Sequence, residues 1–141
     1  MTTESTTEEA QWQSYGTHRA RFEAPDLVLF HAVGDVSIEE VRQFIGDLTK
    51  WPKPERGFFY IPNVSQMGHQ TTQVAGEMKK LPPNLFRATA VVGAKFHHRV
   101  AADLLRRVMM RLNLPGYTAD TQFFATEAEA RVWVDSLRAR G

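Results

Sequence analysis

The chain contains no cysteine, no long hydrophobic run and no large surplus of charge of either sign. Without a cysteine among its 141 residues it cannot form disulfides, thiolate nucleophiles, cysteine-ligated zinc sites or iron–sulfur clusters. No apolar run approaches the roughly 18–20 residues of a membrane-spanning helix. The N-terminus lacks the basic-then-apolar pattern of a signal peptide. These absences predict a soluble, cytoplasmic protein that is not transmembrane.

The nearly balanced charge predicts that the protein does not bind nucleic acid. Seventeen Lys and Arg residues face sixteen Asp and Glu residues, which gives a net charge of +1. Such a chain has no broad basic field to attract phosphate backbones. Residues 1–13 are polar and carry three Glu but no Lys or Arg, so they cannot bury enough apolar area to offset their ordering entropy. We therefore predict a disordered tail over 1–13 and a single domain over 14–141.

Strand-like apolar runs and helical stripes alternate along the chain in the order β-β-α-β-α-β-α-β-α. The strand predictions cover residues 15–22, 27–33, 57–64, 87–92 and 121–125. The helix predictions begin at Ser37, Thr71, Lys95 and Thr126. Strict alternation after a first hairpin indicates parallel strands with crossover helices. The predicted fold is α/β: a mixed five-stranded sheet with an N-terminal antiparallel hairpin, then parallel strands, and about four helices.

Local patterns support the helix assignments. Ser37 and Thr126 are each followed three residues later by Glu, which is the capping-box arrangement at a helix start. The helix that begins after Ser37 has one apolar stripe, and the helix after Thr126 has another. The two stripes consist of Ile38, Val41, Ile45 and Leu48, and of Ala130, Trp133, Val134 and Leu137.

The five histidines do not predict a metal site. His97 and His98 are adjacent, so on a helix they point about 100° apart and cannot form the i, i+4 pair of a helical metal site. His31 lies within an apolar strand, where a satisfied core histidine or a half-buried one is expected rather than a metal ligand. We predict neither a metal nor another cofactor.

The most informative segment is the predicted loop 63–72, which leaves one strand and enters a helix. Parallel strands place their carboxyl ends at one edge of a sheet, so this loop and the junction 93–98 are expected side by side. Polar and adaptable side chains are concentrated in both segments. The candidate binding or regulatory residues are Ser65, Gln66, Gly68, His69, Gln70, Thr71, Thr72, Lys95, His98 and Arg99.

Four short segments resemble the STAS fold group, which includes bacterial anti-sigma-factor antagonists, SpoIIAA-like proteins and the STAS/SEC14-domain proteins. The similar segments are Val33-Gly34-Asp35-Val36-Ser37 before the first helix, Asn63-Val64-Ser65-Gln66-Met67, Ala90-Val91-Val92-Gly93, and the Phe123–Ala130 ending. The resemblance covers roughly residues 15–139. It implies a non-enzymatic bacterial signalling module that binds a protein partner, of a kinase or sigma-regulator type, through the loop after the third strand.

In the anti-sigma-factor antagonists this loop carries an Asp-Ser-Ser/Thr-Gly motif whose serine a partner kinase phosphorylates. The corresponding stretch here is Gly68-His69-Gln70-Thr71, which lacks both the Asp and the acceptor Ser. The resemblance therefore implies no phosphorylation site in this chain. The divergent SpoIIAA-like branch also lacks the motif, and this chain resembles that branch more.

Two other functions remain open from the sequence. The SEC14 resemblance implies a carrier or sensor of a hydrophobic small molecule or lipid. A weaker alternative is a hydrolase or transferase that uses Ser65 and His69, although Asn63 rather than an acid precedes Ser65. The oligomeric state is also left open, with a homodimer as one option.

Overall fold

The computed structural model describes residues 12–70, 72–82, 84–94 and 121–140. These residues form six strands and three helices. In chain order the elements are β1 (Trp12–Tyr15), β2 (His18–Glu23), β3 (Leu27–Val36), α1 (Ile38–Leu48), β4 (Phe58–Gln70), α2 (Thr72–Lys79), β5 (Phe86–Val92), β6 (Thr121–Phe124) and α3 (Glu127–Ala139).

The six strands form one mixed sheet in the order β1-β2-β3-β4-β5-β6. Neighbouring strands are antiparallel from β1 to β3 and parallel from β3 to β6. The mixed α/β sheet and its N-terminal antiparallel hairpin are thus confirmed, with Arg19 opposite His31 and Glu23 opposite Leu27. The predicted helix over 95–112, the fourth of the expected helices, lies outside the described residues.

The predicted count of five strands is wrong, because the first predicted strand is two. The chain reverses at Gly16, whose φ of 64° lies in the left-handed region that glycine adopts without a steric penalty. β1 pairs with β2 from Trp12 opposite Arg21 to Tyr15 opposite His18. Trp12 and Gln13, which the sequence assigned to the tail, therefore belong to the sheet.

The predicted loop over 65–70 is also wrong, because β4 continues through it to Gln70. β3 is long enough to pair with this segment, and Val33, Gly34 and Val36 lie opposite Gln66, Met67 and Gln70. The register shifts twice along this pairing, once between His31 and Val33 and again between Gly34 and Val36. At each shift β4 carries one residue more than β3, as in a β-bulge.

The two predicted helix starts at Ser37 and Thr126 are present. At α1 the Ser37 side chain accepts the Glu40 N–H and the Glu40 carboxylate accepts the Ser37 N–H, so the capping box is complete. At α3 the Thr126 hydroxyl accepts the Glu129 N–H, and the Glu129 carboxylate accepts from the Thr126 hydroxyl. Each cap satisfies a backbone N–H group in the first turn of its helix.

One face of the sheet is covered by α1 and α2 and contains most of the aromatic core. Phe44 lies at its centre, with ring centroids 4.8 Å from Phe30, 5.8 Å from Tyr15 and 6.2 Å from Tyr60. Phe44 is absent from the predicted stripe, although it lies three residues after Val41 on the same side of the helix. The buried face of α1 is therefore wider than the predicted stripe.

The opposite face is covered by α3, as its predicted stripe implied. Ala130 and Val134 are buried there against Leu29, Ile61 and other strand residues, with Trp133 and Leu137 at the margin. Two arginines of α3 also form ion pairs with the β2–β3 hairpin. Arg131 donates to both carboxylate oxygens of Glu23, and Arg138 donates to both of Asp26. The two faces together make β3 and β4 the buried centre of the domain.

Truncation of Phe44 tests the position of the core. We expect Phe44→Ala to lower the free energy of unfolding by about 3–5 kcal/mol, because it removes a buried ring and leaves a cavity. Val132→Ala on α3 is the control, since Val132 is 70% exposed and its loss should change stability by less than about 0.5 kcal/mol. Urea unfolding measures both. Equal effects of the two substitutions would contradict this packing.

Candidate functional site at the carboxyl edge of the parallel strands

The carboxyl ends of the parallel strands lie along one edge of the sheet, as predicted. Asn63 of β4 lies opposite Val92 of β5, so the segments that follow these two residues run side by side. Gly93, with φ of 76°, faces Ser65 so closely that a Cβ at Gly93 would come 2.6 Å from the Ser65 Cβ. The expected juxtaposition of the 63–72 and 93–98 segments is thus present at Ser65 and Gly93.

Asn63 organises the backbone at the first bulge of β4. Its side-chain oxygen accepts a hydrogen bond from the Ser65 N–H at 3.1 Å and another from the Ser65 hydroxyl at 2.7 Å. The turn that results directs the Ser65 hydroxyl back toward its own strand. Ser65 itself is exposed.

Asp35 accepts a backbone hydrogen bond at the second bulge of β4, as Asn63 does at the first. Its Oδ1 accepts the His69 N–H at 2.8 Å. Gly68 lies directly against Asp35, and a Cβ at Gly68 would overlap the Asp35 carboxylate and approach the Asp35 backbone N to 3.0 Å. A side chain at position 68 would therefore displace the Asp35 carboxylate.

The structure places the ten predicted site residues in three groups. Ser65, Gln66, Gly68 and His69 are exposed along the end of β4. Gln70 is the last residue of β4 and Thr72 the first of α2. Thr71, Lys95, His98 and Arg99 lie outside the described residues.

A buried histidine, His18, forms hydrogen bonds with the end of β3 next to this edge. Its side chain is 0% exposed. The Nδ1 atom accepts the Val33 N–H at 2.9 Å, and Nε2 lies 2.9 Å from the Asp35 carbonyl oxygen and 3.2 Å from Glu40 Oε1. Because Nδ1 is an acceptor, the geometry assigns the proton of the neutral ring to Nε2.

Glu40 connects this histidine to the start of α1. Burial raises the pKa of the Glu40 carboxyl, but hydrogen bonds from the backbone and side chain of Ser37, together with His18, outweigh burial and leave the pKa below its ordinary value. The carboxylate also packs on Gly16, where any Cβ would overlap it. The β1–β2 turn, the end of β3 and the cap of α1 therefore meet at one polar cluster.

Sequence reasoning missed His18, although the sequence contains a signal for it. In His18–Glu23 the residues at even positions share one face of the strand, and His18 lies on the same face as Ala20 and Phe22. This alternation indicates a histidine that points into the core. What the sequence could not show is that Val33, Asp35 and Glu40 would converge on the ring.

A second cluster lies on the α3 face of the sheet. His31 is half-buried, as predicted, with its Nε2 3.3 Å from Glu127 Oε1 and its ring 5.0 Å from that of Trp12. The Arg19 guanidinium lies over the Trp12 ring, 4.5 Å from its centroid. Glu127 also pairs with Arg131, so this cluster joins α3 to the hairpin.

Within the described parts of the chain, no group of His, Asp and Glu side chains is arranged to hold a metal ion. Over the same residues, no helix is long and apolar enough to cross a bilayer.

No model of a known protein family matches the chain, and no curated protein matches it. Among solved structures, it is similar to an uncharacterized protein of the DUF3478 family from Shewanella loihica PV-4, whose crystal structure has a SpoIIAA-like fold. The TM-score is 0.58 at 19% sequence identity, over 86% of this chain and 98% of that chain. This chain has a SpoIIAA-like fold. The resemblance seen in the sequence is confirmed at the level of the fold. A sequence identity of 19% supports a shared fold and does not support a shared function.

The ion pair between Glu23 and Arg131 should make the stability of this SpoIIAA-like domain depend on pH. Hydrogen bonds from Arg131 hold the pKa of Glu23 below its ordinary value of 4.5 and outweigh the opposing effect of burial. A lowered pKa contributes stability that is present above pH 4.5 and is lost as the pH falls through the lower folded-state pKa.

We therefore expect the free energy of unfolding to decline below about pH 4.5, and Glu23→Gln to make that decline shallower. Glu39→Gln, at an exposed position of α1, is the matched control and should retain the wild-type slope. Chemical unfolding at a series of pH values measures all three proteins. An unchanged slope in Glu23→Gln would show that the pair does not contribute.

Proposed function

We propose that the protein is a non-enzymatic regulatory module of the SpoIIAA-like type, which binds a protein partner through the end of β4. The binding surface consists of Ser65, Gln66, Gly68 and His69, and is called the docking edge below. The observation that carries the proposal is that these residues are exposed while their backbone is held by internal hydrogen bonds.

A held backbone favours binding because less conformational entropy is lost when the partner docks. Asn63 holds Ser65, Asp35 holds His69, and Gly93 packs against Ser65. The exposed side chains make no contribution to either hydrophobic core. The docking edge therefore combines an ordered backbone with exposed side chains that a partner can contact.

The arrangement of Ser65 and His69 favours binding over catalysis. A catalytic serine needs a base within about 3.2 Å of its hydroxyl, whereas the Ser65 hydroxyl donates to Asn63 Oδ1 at 2.7 Å. An Asn side-chain oxygen is not a general base. Ester hydrolysis that is abolished by Ser65→Ala would favour the hydrolase alternative.

The core packing gives less support to the carrier of a hydrophobic ligand. Ligand pockets enclose about 300–1,000 Å³. On the α1 face of the sheet, closely packed rings occupy the interior: the ring centroids of Tyr60 and Phe86 are 4.6 Å apart, and those of Phe30 and Phe44 are 4.8 Å apart. The lipid carrier stays an alternative that lipid analysis of the purified protein would test.

The docking edge can be tested by a charge change combined with a truncation. We expect Gln66→Glu with His69→Ala to weaken binding to the partner at least about tenfold, which corresponds to about 1.4 kcal/mol, without changing the melting temperature. The partner is first recovered from the native host by affinity purification and mass spectrometry, and the dissociation constant is then measured by calorimetry.

Gln43→Glu is the matched control, because Gln43 is exposed on α1, outside the docking edge, and receives the same added charge. It should bind as the wild-type protein does. If the double variant also binds normally and melts normally, the end of β4 is not the partner surface.

A further inference from the structure

Next to the docking edge, the α3 face of the sheet extends beyond the helix that packs on it. α3 packs mainly against β4, β5 and β6. On the same face, β1, β2 and the end of β3 carry Ser14 and Arg19, which are exposed, and Trp12 and His31, which are half-buried. The helices that the structure describes therefore leave this part of the sheet largely open.

The open surface is continuous with the docking edge through Val33. Val33 lies opposite Gln66 of β4, and it follows His31 by two residues, so both side chains are on the α3 face. His31 in turn lies opposite Arg19 of β2. Val33 is 38% exposed, whereas Leu29 on the same face of β3 is 2% exposed. A partner that contacts Gln66 therefore meets Val33 next, and then Arg19 at two strand spacings, or about 10 Å, across the sheet.

Arg19 is positioned on this surface without an acidic partner. Its guanidinium lies over the Trp12 ring, 4.5 Å from the centroid, and the attraction between a cation and an aromatic face limits its movement. Among the described residues, no carboxylate forms an ion pair with Arg19. A guanidinium that is already positioned loses less conformational entropy when it binds a carboxylate. Arg19 is therefore prepared to receive an anionic group.

The carboxylates of this face already have partners. Arg131 donates to both carboxylate oxygens of Glu23 and also pairs with Glu127. Arg21 lies 3.7 Å from Glu23, and its Nε is buried without a hydrogen-bond partner in the part of the chain that the structure describes. Arg19 and Arg21 thus leave the surface with an excess of positive charge.

We infer that Arg19, held over Trp12, binds a carboxylate of the protein partner, and that the partner docks with an acidic segment whose apolar side chain covers Val33. This inference rests on the proposed function, because it names the chemistry of the partner that meets the docking edge. A guanidinium binds a carboxylate through two parallel N–H bonds, which contribute both affinity and orientation. A strand advances about 3.3 Å per residue, so an extended segment of about four residues spans the surface from Gln66 to Arg19.

Two short synthetic peptides test the acidic chemistry on the full chain. The first repeats Leu-Leu-Glu-Glu, so that an extended peptide presents leucine and glutamate in turn on each of its faces. The second has glutamine in place of every glutamate. Fluorescence anisotropy of a label on the peptide measures the dissociation constants.

We expect the acidic peptide to bind at least about tenfold more tightly than the glutamine peptide. Most of this difference should disappear when the salt concentration is raised from about 0.05 M to about 0.5 M, because salt screens exposed charge pairs. In nuclear magnetic resonance spectra, the amide shifts that change on binding should include those of Arg19, Val33 and Gln66.

Three variants assign the effect to Arg19. Arg19→Gln should weaken binding of the acidic peptide about tenfold and leave binding of the glutamine peptide unchanged. Arg19→Lys keeps the charge but lacks the planar pair of donors, so it should recover only part of the loss. Arg42→Gln is the matched control, because Arg42 is exposed on α1 on the opposite face, and it should bind as the wild-type protein does. All three should melt as the wild type does, since both arginines are exposed.

The inference is overturned if the acidic peptide binds no more tightly than the glutamine peptide, or if Arg19→Gln binds it as the wild type does. It is equally overturned if the shift changes lie around Arg42 on the α1 face instead.

The native partner separates this inference from the proposed function. A partner that needs the docking edge but binds Arg19→Gln normally would retain the proposed function and reject the acidic segment. A partner that needs Arg19 but binds the docking-edge double variant normally would support the carboxylate site and reject the docking edge.

Discussion

The pairing of β3 on both of its sides is the constraint on which the rest of the molecule depends. β3 runs antiparallel to β2 and parallel to β4, so it is the strand at which the sheet changes direction. Its alternate residues enter both hydrophobic cores, with Val28 and Phe30 on the α1 face and Leu27 and Leu29 on the α3 face. A strand that is buried on both faces and paired along both edges has little freedom to shift, and its neighbours are positioned by it.

At its carboxyl end, β3 pairs irregularly with β4, and polar side chains form hydrogen bonds there. Gly34 adopts a left-handed conformation, the pairing with β4 shifts register twice, and His18 and Asp35 supply hydrogen bonds that the regular ladder does not. Irregular pairing of this kind is common where a sheet presents a functional surface. The exposed end of β4 is therefore ordered by polar hydrogen bonds from Asn63 and Asp35, together with the packing of Met67 against the core.

Much of the architecture could be predicted from the sequence because the signals are local. The apolar runs at 27–33 and 87–92, the capping box at Ser37 and the stripe through Ala130 and Val134 each depend on residues only a few positions apart. Periodicity and capping are properties of neighbouring residues, so they survive without knowledge of the fold. The SpoIIAA-like resemblance drew on the same local segments and is confirmed as a fold.

The errors came where distant residues decide the outcome. The polar, glycine-containing stretch 65–70 has the composition of a loop, and it forms a strand because β3 offers it a partner. The first predicted strand is divided by the turn at Gly16, and the Glu40 carboxylate packs on this turn from 24 positions away in the chain.

By itself, then, the sequence determined most of the elements and the mixed α/β class, because hydrophobic periodicity and helix caps act over a few residues. Only the tertiary structure decided the state of His18, the second half of β4 and the order of the docking edge. Each of these depends on hydrogen bonds between residues far apart in the chain, such as Val33 with His18 and His69 with Asp35. Such bonds exist only after the sheet has brought the strands together.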